Sequence, residues 1–235
     1  MKYSLKQQDL NNWKGHITEN LTRCYIRDVL VPKLEKEGWD KVIFMQNIPM
    51  RIHTRPLGEL SSDKQEYYHD KFMNIKIILL SKEVYPTQEL LEMCEQVNSF
   101  LKHIPDGFLF KLKRIGKMMQ MKDIVSEVGI SRWFWKWENQ YEKIDEVQFS
   151  TEKVDYSKEF PVVTGEIETV EVKSDKGELS RIQKDEYANL VKNGYPLRLF
   201  HVEIVSFDNN HFEVKQKLIR TVNEVREGQK LNTYS

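Results

Sequence analysis

The sequence predicts an α/β domain with a mixed central sheet, interrupted in its middle by a largely helical insertion. Helical hydrophobic periodicity alternates with short β-branched runs in the order helix, strand, insertion, strand, hairpin strand, helix and strand. The 235 residues include 40% hydrophobic and 11% aromatic side chains, which is enough for a buried core and excludes a disordered chain. We assign the core of this single domain to residues 10–46, 105–112 and 159–220, and the insertion to approximately 47–158.

The first element is a helix predicted from about Leu10 to Lys36. Its apolar side chains recur every four residues, at Ile17, Leu21, Tyr25 and Val29. Pro32 interrupts this pattern and predicts a kink, because proline donates no backbone hydrogen bond and its ring displaces the preceding turn. Gly38 is a typical helix stop, and the apolar run 41–46 after it predicts a strand.

The middle of the chain is predicted to contain two further strands and two further helices. The apolar runs 75–80 and 108–112 indicate the strands. A short helix is predicted at 63–73, and Pro86 and Thr87 begin a longer one, which ends before Pro105. Residues 116–158 are predicted to be helical or irregular.

The C-terminal part carries the strongest local signals. Residues 160–163 and 166–173 predict a hairpin around Thr164-Gly165, because two β-branched runs flank a turn signal. The elements predicted after the hairpin are a helix at 180–192, a strand within 196–206 and a helix or strand at 212–219.

Glu171 and Lys173 are the side chains in this part that indicate chemistry. Residues alternate between the faces of a strand, so Glu171 and Lys173 share one face while Val170 and Val172 point to the other. A carboxylate beside an ammonium suits a site that holds a divalent metal and stabilises negative charge on a phosphate. A solvated strand face with alternating charges gives the same pattern without any function.

The charge balance excludes a protein that coats nucleic acid by global attraction, because 36 basic and 36 acidic residues give a formal charge of zero. A neutral chain still has room for a local basic patch, and residues 111–122 contain five basic residues and no acid. A solvated surface face explains that stretch equally well. The candidate nucleic-acid contacts are Lys111, Lys113, Arg114, Lys117 and Arg181.

The sequence also predicts a cytoplasmic protein with no membrane partner. No apolar run approaches the roughly 18 residues of a membrane span. The N-terminus is polar and lacks the apolar stretch of a secretory signal. Cys24 and Cys94 lie in helical patterns among apolar residues, which indicates reduced core residues of an intracellular chain.

The segment Val170-Glu171-Val172-Lys173-Ser174, followed by Leu179-Ser180-Arg181-Ile182-Gln183 and Tyr187, resembles the PD-(D/E)XK nuclease superfamily. It is most similar to the compact members that include archaeal Holliday-junction resolvases and virus-type replication-repair nucleases. In such enzymes an acid on one strand precedes an acid-x-Lys on the next, and the following helix often bears a glutamine. Gln183 to Tyr187 also resembles the Gln-x-x-x-Tyr pattern of helicase-associated members.

Two N-terminal segments extend the resemblance. Lys14-Gly15-His16-Ile17-Thr18-Glu19 resembles the first-helix pattern of resolvase-like members, in which a glutamate is directed at the metal site, and Glu19 is its match. Gly38-Trp39-Asp40-Lys41-Val42 is similar to the entry into their first strand. The matched regions cover roughly 10–46 and 160–206, with a short piece near 105. The resemblance implies a restriction-endonuclease-like fold.

The first acid of the pattern remains open among three positions. Ile104-Pro105-Asp106 supplies a literal Pro-Asp that leads into an apolar strand, as the superfamily pattern requires, but it lies far upstream of Glu171. Glu159, just before Phe160, has the most natural spacing. Asp155 is the third candidate.

The resemblance implies catalytic roles for five residues: Glu19, Asp106, Glu171, Lys173 and Gln183. Asp106 and Glu171, with the Val172 carbonyl and with Glu19, would hold Mg²⁺ or Mn²⁺ through hard oxygen ligands. Such a metal lowers the pKa of a bound water and clamps phosphate oxygens. Lys173 would stabilise the developing negative charge.

Two of these residues have structural explanations as well. Ser180 and Gln183 form a capping box, with Ser180 at the N-cap and Gln183 at N3, which accounts for Gln183 without catalysis. Glu19 lies one helical turn before Arg23 and can pair with it. The order of the parts along the chain is what favours the catalytic interpretation.

The sequence therefore predicts a magnesium-dependent DNA endonuclease of the structure-specific, resolvase-like kind. A homodimer is expected, because resolvase relatives cut two strands. The alternative is a catalytically inactive nucleic-acid-binding or protein-interaction module that retains the nuclease fold. The zero net charge and the open first acid favour that alternative.

Overall fold

The computed structural model of the protein describes residues 7–46, 75, 79–80, 82–103, 105–128, 157–174, 177–206 and 211–227. The chain forms two compact units. The first comprises residues within 1–52, 93–112 and 165–235, and the second comprises residues within 53–92 and 113–164. The site described below lies wholly within the first unit.

The described residues include both α-helices and β-strands. The α-helices are α1 (Gln7–Tyr25), α2 (Val31–Lys36), α3 (Gln88–Phe100), α4 (Met121–Val128), α5 (Arg181–Lys192) and α6 (Val222–Arg226). The strands are β1 (Lys41–Gln46), β2 (Tyr85–Pro86), β3 (Gly107–Gln120), β4 (Glu159–Ser174), β5 (Leu197–Ser206) and β6 (His211–Ile219). A π-helical turn, Ile26–Leu30, connects α1 to α2.

These six strands form one open sheet in the order β1-β3-β4-β5-β6, with the short β2 paired to β4. β1 is antiparallel to β3 and β6 is antiparallel to β5. β4 is parallel to both β2 and β5. The predicted α/β class with a mixed central sheet is thus confirmed. Helix α5 connects β4 to β5, as parallel neighbours require a crossover of helical length.

The predicted stripe of the N-terminal helix is only partly buried: Ile17, Leu21 and Tyr25 are half-buried, whereas Val29 is 47% exposed. The most deeply buried residues lie one position after the stripe: Thr18, Thr22, Ile26, Leu30 and Leu34. The two threonines tolerate burial because each hydroxyl donates to the carbonyl four residues earlier, at 2.7 Å and 2.9 Å. The predicted interruption at Pro32 takes the form of the π turn just before it, where the Val31 N–H donates to the Ile26 carbonyl.

In the first unit, β4 alternates between two covered faces. Val170 packs with Ile26, Leu30 and Phe200, on the face covered by the N-terminal helices. Glu171 points to the other face, where its partners come from α5. The sheet therefore lies between two helical layers in this unit, and Glu171 lies beneath α5.

The hairpin predicted at Thr164-Gly165 is wrong, because β4 continues without a turn from Glu159 to Ser174. Gly165 does not have a positive φ. A Cβ at this position would lie only 2.0 Å from the Lys111 carbonyl oxygen of β3. Glycine is needed here because the backbone of β3 passes unusually close to it, not because the chain turns.

The second unit also differs from the prediction. Ile75, Leu79 and Leu80, predicted to be in a strand, are helical. A short apolar run of this kind does not distinguish a buried strand from a buried helix. The short helix predicted at 63–73 lies outside the described residues. Residues 116–120 extend β3 instead of forming a helical or irregular segment. The core cluster of this unit comprises Leu80, Tyr85, Met121, Ile124, Phe160 and Val162.

A buried ion cluster in the first unit holds Glu168, which has no exposed surface. Arg198 Nε lies 2.6 Å from one oxygen of its carboxylate and Lys111 Nζ lies 2.8 Å from the other. Burial by itself would raise the pKa of Glu168, but these two cations lower it below its ordinary value. Lys111 is therefore enclosed in an ion pair, which removes it from the predicted nucleic-acid contacts.

The two cysteines are free thiols with different surroundings. Cys94 is buried, as predicted, whereas Cys24 is exposed and does not belong to the core. Among the described residues, no helix has both the length and the apolar character needed to cross a membrane.

Replacing Arg198 with Met removes one of the two cations that compensate Glu168. We expect the free energy of unfolding to fall by about 3 kcal/mol, because a buried carboxylate is left incompletely paired. Urea denaturation measures this loss. Lys33→Met removes an exposed ion pair with Glu37, at 3.9 Å, and should change stability by less than about 1 kcal/mol. Equal effects of the two substitutions would contradict the assignment.

Candidate active site

The first feature of the site is a contact between β4 and the residue that precedes β3. Asp106 lies immediately before Gly107, where β3 begins. Its Oδ2 accepts a hydrogen bond from the Val172 backbone N–H, with an N···O distance of 2.6 Å. Because Val172 lies between Glu171 and Lys173, this bond brings Asp106 to the acid-x-Lys segment. Of the two first-acid candidates that the structure describes, Asp106 is joined to that segment and Glu159 pairs with Gln120 instead.

Glu171 is the most enclosed carboxylate of the site, with 3% of its surface exposed. Its Oε1 accepts from Lys173 Nζ at 2.7 Å and from Gln183 Nε2 at 2.6 Å. Its Oε2 accepts a short hydrogen bond from the Tyr187 hydroxyl. Three donors thus compensate a charge that burial would otherwise make costly.

Gln183 forms the predicted capping box and also contacts Glu171 through its side-chain amide. Its Oε1 accepts from the Ser180 N–H at 3.0 Å, and its own N–H donates to Ser180 Oγ at 3.2 Å, which completes the capping box. The same side chain donates from Nε2 to Glu171. The cap fixes the first turn of α5, and that turn holds the amide of Gln183 against the carboxylate.

Asp106 and Glu171 are close enough to repel each other. Burial and then the charge of Glu171 raise the pKa of Asp106 to about 7, against the opposing effect of the Val172 hydrogen bond. Glu19, partly buried on α1, contributes a further upward shift. The charges of Glu171 and Glu19 thus both act on Asp106, and the positive charge of Lys173 partly offsets them.

The arrangement also includes His103 and Glu186, to which sequence reasoning gave no role, and Tyr187, which it named only as part of the Gln-x-x-x-Tyr pattern. His103 Nε2 lies 2.9 Å from the Tyr187 hydroxyl oxygen, and its Nδ1 makes a short hydrogen bond to Glu186 Oε2. Burial, and then Glu171, raise the pKa of Tyr187 well above its ordinary value, so the phenol remains a donor. The spacing of Gln183, Glu186 and Tyr187 along one helix face was a usable signal. His103 is distant from them in sequence, so its contacts could not be predicted from helical spacing.

The other candidate residues lie elsewhere. Glu159 begins β4 in the second unit, where its Oε1 accepts from Gln120 Nε2 at 3.2 Å. Asp155 lies outside the described residues. Side chains predicted to contact nucleic acid are exposed at Lys113, Arg114 and Lys117 in the second unit and at Arg181 in the first.

The residues present are chemically suited to a hard divalent cation. Asp106, Glu171 and Glu19 offer carboxylate oxygens, which Mg²⁺ and Mn²⁺ prefer, and their mutual repulsion is what such an ion would relieve. In the part of the chain that the structure describes, no three His, Cys, Asp or Glu side chains have the geometry of a formed metal site. The Lys173 ammonium neutralises Glu171 in this arrangement.

Comparison with known proteins does not identify a relative, since no protein-family model, curated protein or solved structure matches the chain.

Asp106→Asn should change the pH dependence of stability. With a pKa of about 7 in the folded state and 3.8 as its ordinary value, Asp106 binds more protons folded than unfolded across this window. Wild-type stability should therefore fall as pH rises from about 4 to 7, and the variant should lose this slope. The unfolding free energy of the variant minus that of the wild type should be larger at pH 8 than at pH 4, by on the order of 2–4 kcal/mol.

Chemical denaturation at a series of pH values measures this difference. Asp185→Asn is the matched control, because Asp185 is an exposed carboxylate on the same helix as Gln183 and Tyr187. A parallel stability curve for Asp106→Asn and Asp185→Asn would show that Asp106 is not held in a destabilising environment.

Proposed function

We propose that this protein is a metal-dependent endonuclease that hydrolyses phosphodiester bonds in DNA, with a restriction-endonuclease-like core of the PD-(D/E)XK type. The observation that carries the proposal is the hydrogen bond from the Val172 N–H to Asp106 at 2.6 Å. It supports a paired-acid site, because it joins an acid before one strand to the Glu171-x-Lys173 segment of its neighbour. Branched DNA is the substrate that the resolvase resemblance favours.

Each side chain would have a distinct part in hydrolysis. Asp106 and Glu171 would hold Mg²⁺ or Mn²⁺, with the Val172 carbonyl and Glu19 as further oxygen donors. The bound ion would supply an activated water and would neutralise charge on the phosphate. Lys173, 18% exposed at its side chain, can leave Glu171 and stabilise charge developing on the phosphate oxygens.

Gln183 and Tyr187 would act through Glu171. Both donate to its carboxylate, so they fix its orientation while a metal and a substrate bind on the open side. Neither residue needs to contact the reacting phosphate. Their hydrogen bonds would keep the acid in place when Lys173 moves away.

Cleavage assays test the proposal directly. Purified protein is incubated with branched, nicked and single-stranded DNA in Mg²⁺ or in Mn²⁺, and products are resolved by electrophoresis. We expect cleavage by the wild type, and a loss of at least about 100-fold in rate for Glu171→Ala and for Lys173→Ala, because each removes a charge at the reacting centre.

Lys184→Ala is the matched control for Lys173→Ala. Lys184 lies on α5 and pairs loosely with the exposed Glu178, at 3.7 Å, so its removal should leave cleavage unchanged. Absence of cleavage with every substrate, or cleavage that survives both Glu171→Ala and Lys173→Ala, would refute the proposed activity.

Two further expectations concern partners. Lys113, Arg114 and Lys117 are exposed and are the proposed phosphate contacts of the second unit. Replacing all three with Gln should reduce the salt dependence of DNA binding by about two to three units in the slope of log K against log salt.

A homodimer is the expected assembly, and sedimentation equilibrium should give twice the mass of 28.1 kDa. A monomeric mass would contradict the homodimer, and an unchanged salt slope in the triple variant would contradict the proposed phosphate contacts.

The second candidate is an inactive module that keeps the fold. The full hydrogen bonding of Glu171 by Lys173, Gln183 and Tyr187 favours it, because the site is compensated without any metal. Calorimetry with Mg²⁺ separates the two. The nuclease should bind the ion, and Asp106→Asn should weaken binding by at least about tenfold. No heat of binding in the wild type, together with salt-sensitive DNA binding, would favour the inactive module.

A further inference from the structure

Glu186 is a buried carboxylate on α5 that binds the segment between α3 and β3. Its Oε2 accepts from the backbone N–H groups of Lys102 and His103, at 3.0 Å and 3.3 Å. The same oxygen accepts from the Nδ1 of the His103 ring. One carboxylate oxygen thus receives three hydrogen bonds from a two-residue bend, which lies just before Asp106.

The other end of His103 leads to the proposed metal site. Its Nε2 lies 2.9 Å from the Tyr187 hydroxyl oxygen, and Tyr187 donates its own proton to Glu171. His103 Nε2 itself is 4.0 Å from Glu171 Oε2. The chain of contacts Glu186, His103, Tyr187 and Glu171 is therefore continuous.

The same face of α5 consequently governs both acids of the site. Gln183 and Tyr187 hold Glu171 directly, while Glu186 holds the bend that delivers Asp106. Glu186 Oε1 is buried and has no hydrogen-bond partner among the described residues.

We propose that Glu186 and His103 are positioning residues, which clamp the bend before Asp106 and the Tyr187 hydroxyl so that Asp106 and Glu171 keep a fixed separation. The consequence for metal binding and cleavage rests on the proposed function, but the positioning itself does not. Neither residue needs to touch a metal or a substrate.

Amide hydrogen exchange followed by NMR tests the clamp in the metal-free protein. The Val172 N–H reports on Asp106, since Asp106 Oδ2 is its acceptor. Glu186→Ala should accelerate exchange at Lys102, His103 and Val172 by at least about tenfold, because the bend is released. The amide of Phe200, on the neighbouring strand, should be unaffected.

Asp185→Ala is the control, since it truncates an exposed carboxylate at the adjacent position. Unchanged protection of Val172 in Glu186→Ala would overturn the proposal. So would equal acceleration at Val172 and Phe200, because Glu186 would then contribute only to global stability. His103→Ala provides a second variant: it should release Val172 in the same way, and added imidazole should restore part of the protection, since the side chain is 24% exposed.

The functional consequence is measured separately. His103→Ala should raise the Mg²⁺ dissociation constant by 10–100-fold, the usual cost of losing an outer hydrogen-bond partner, and imidazole should reverse part of this. Release of Val172 in a protein that neither binds Mg²⁺ nor cleaves DNA would refute the proposed function and leave the positioning intact. Cleavage by the wild type, together with unchanged protection of Val172 in Glu186→Ala, would support the proposed function and refute the positioning.

Discussion

The burial of the Glu171 carboxylate is the constraint on which the rest of the site depends. A carboxylate beneath a helix is tolerated only when donors surround it. Its three donors, Lys173, Gln183 and Tyr187, come from the same strand and from the helix that follows it. The position of α5 over the sheet is therefore tied to this charge, and so is the Ser180 cap that begins the helix.

The strand that carries Glu171 also carries a second buried acid, and the two differ in how their negative charges are compensated. Glu168 faces the N-terminal helices and is compensated by two cations that are themselves buried, Lys111 and Arg198. Glu171 is compensated by two neutral donors and by Lys173, which retains access to solvent. The fully buried ion pair and the ion pair with access to solvent thus lie on opposite faces of β4.

Much of the site could be predicted from the sequence because its rules are local. Strand alternation determined the face shared by Glu171 and Lys173, and the Ser180 pattern located the turn that presents Gln183. The contacts of His103 could not be predicted in this way, since they join residues more than 80 positions apart. The turn expected at Gly165 failed for a related reason, because the close approach of β3 is also a long-range property of the fold.

The central claim is that Asp106 and Glu171 form one metal site, and a crystal structure with bound Mn²⁺ tests it most directly. Anomalous diffraction locates the ion independently of the protein coordinates. The account predicts a single strong peak within about 2.3 Å of a carboxylate oxygen of each residue, with Lys173 displaced from Glu171. No peak at this position, with the Lys173–Glu171 contact still formed at saturating Mn²⁺, would contradict it.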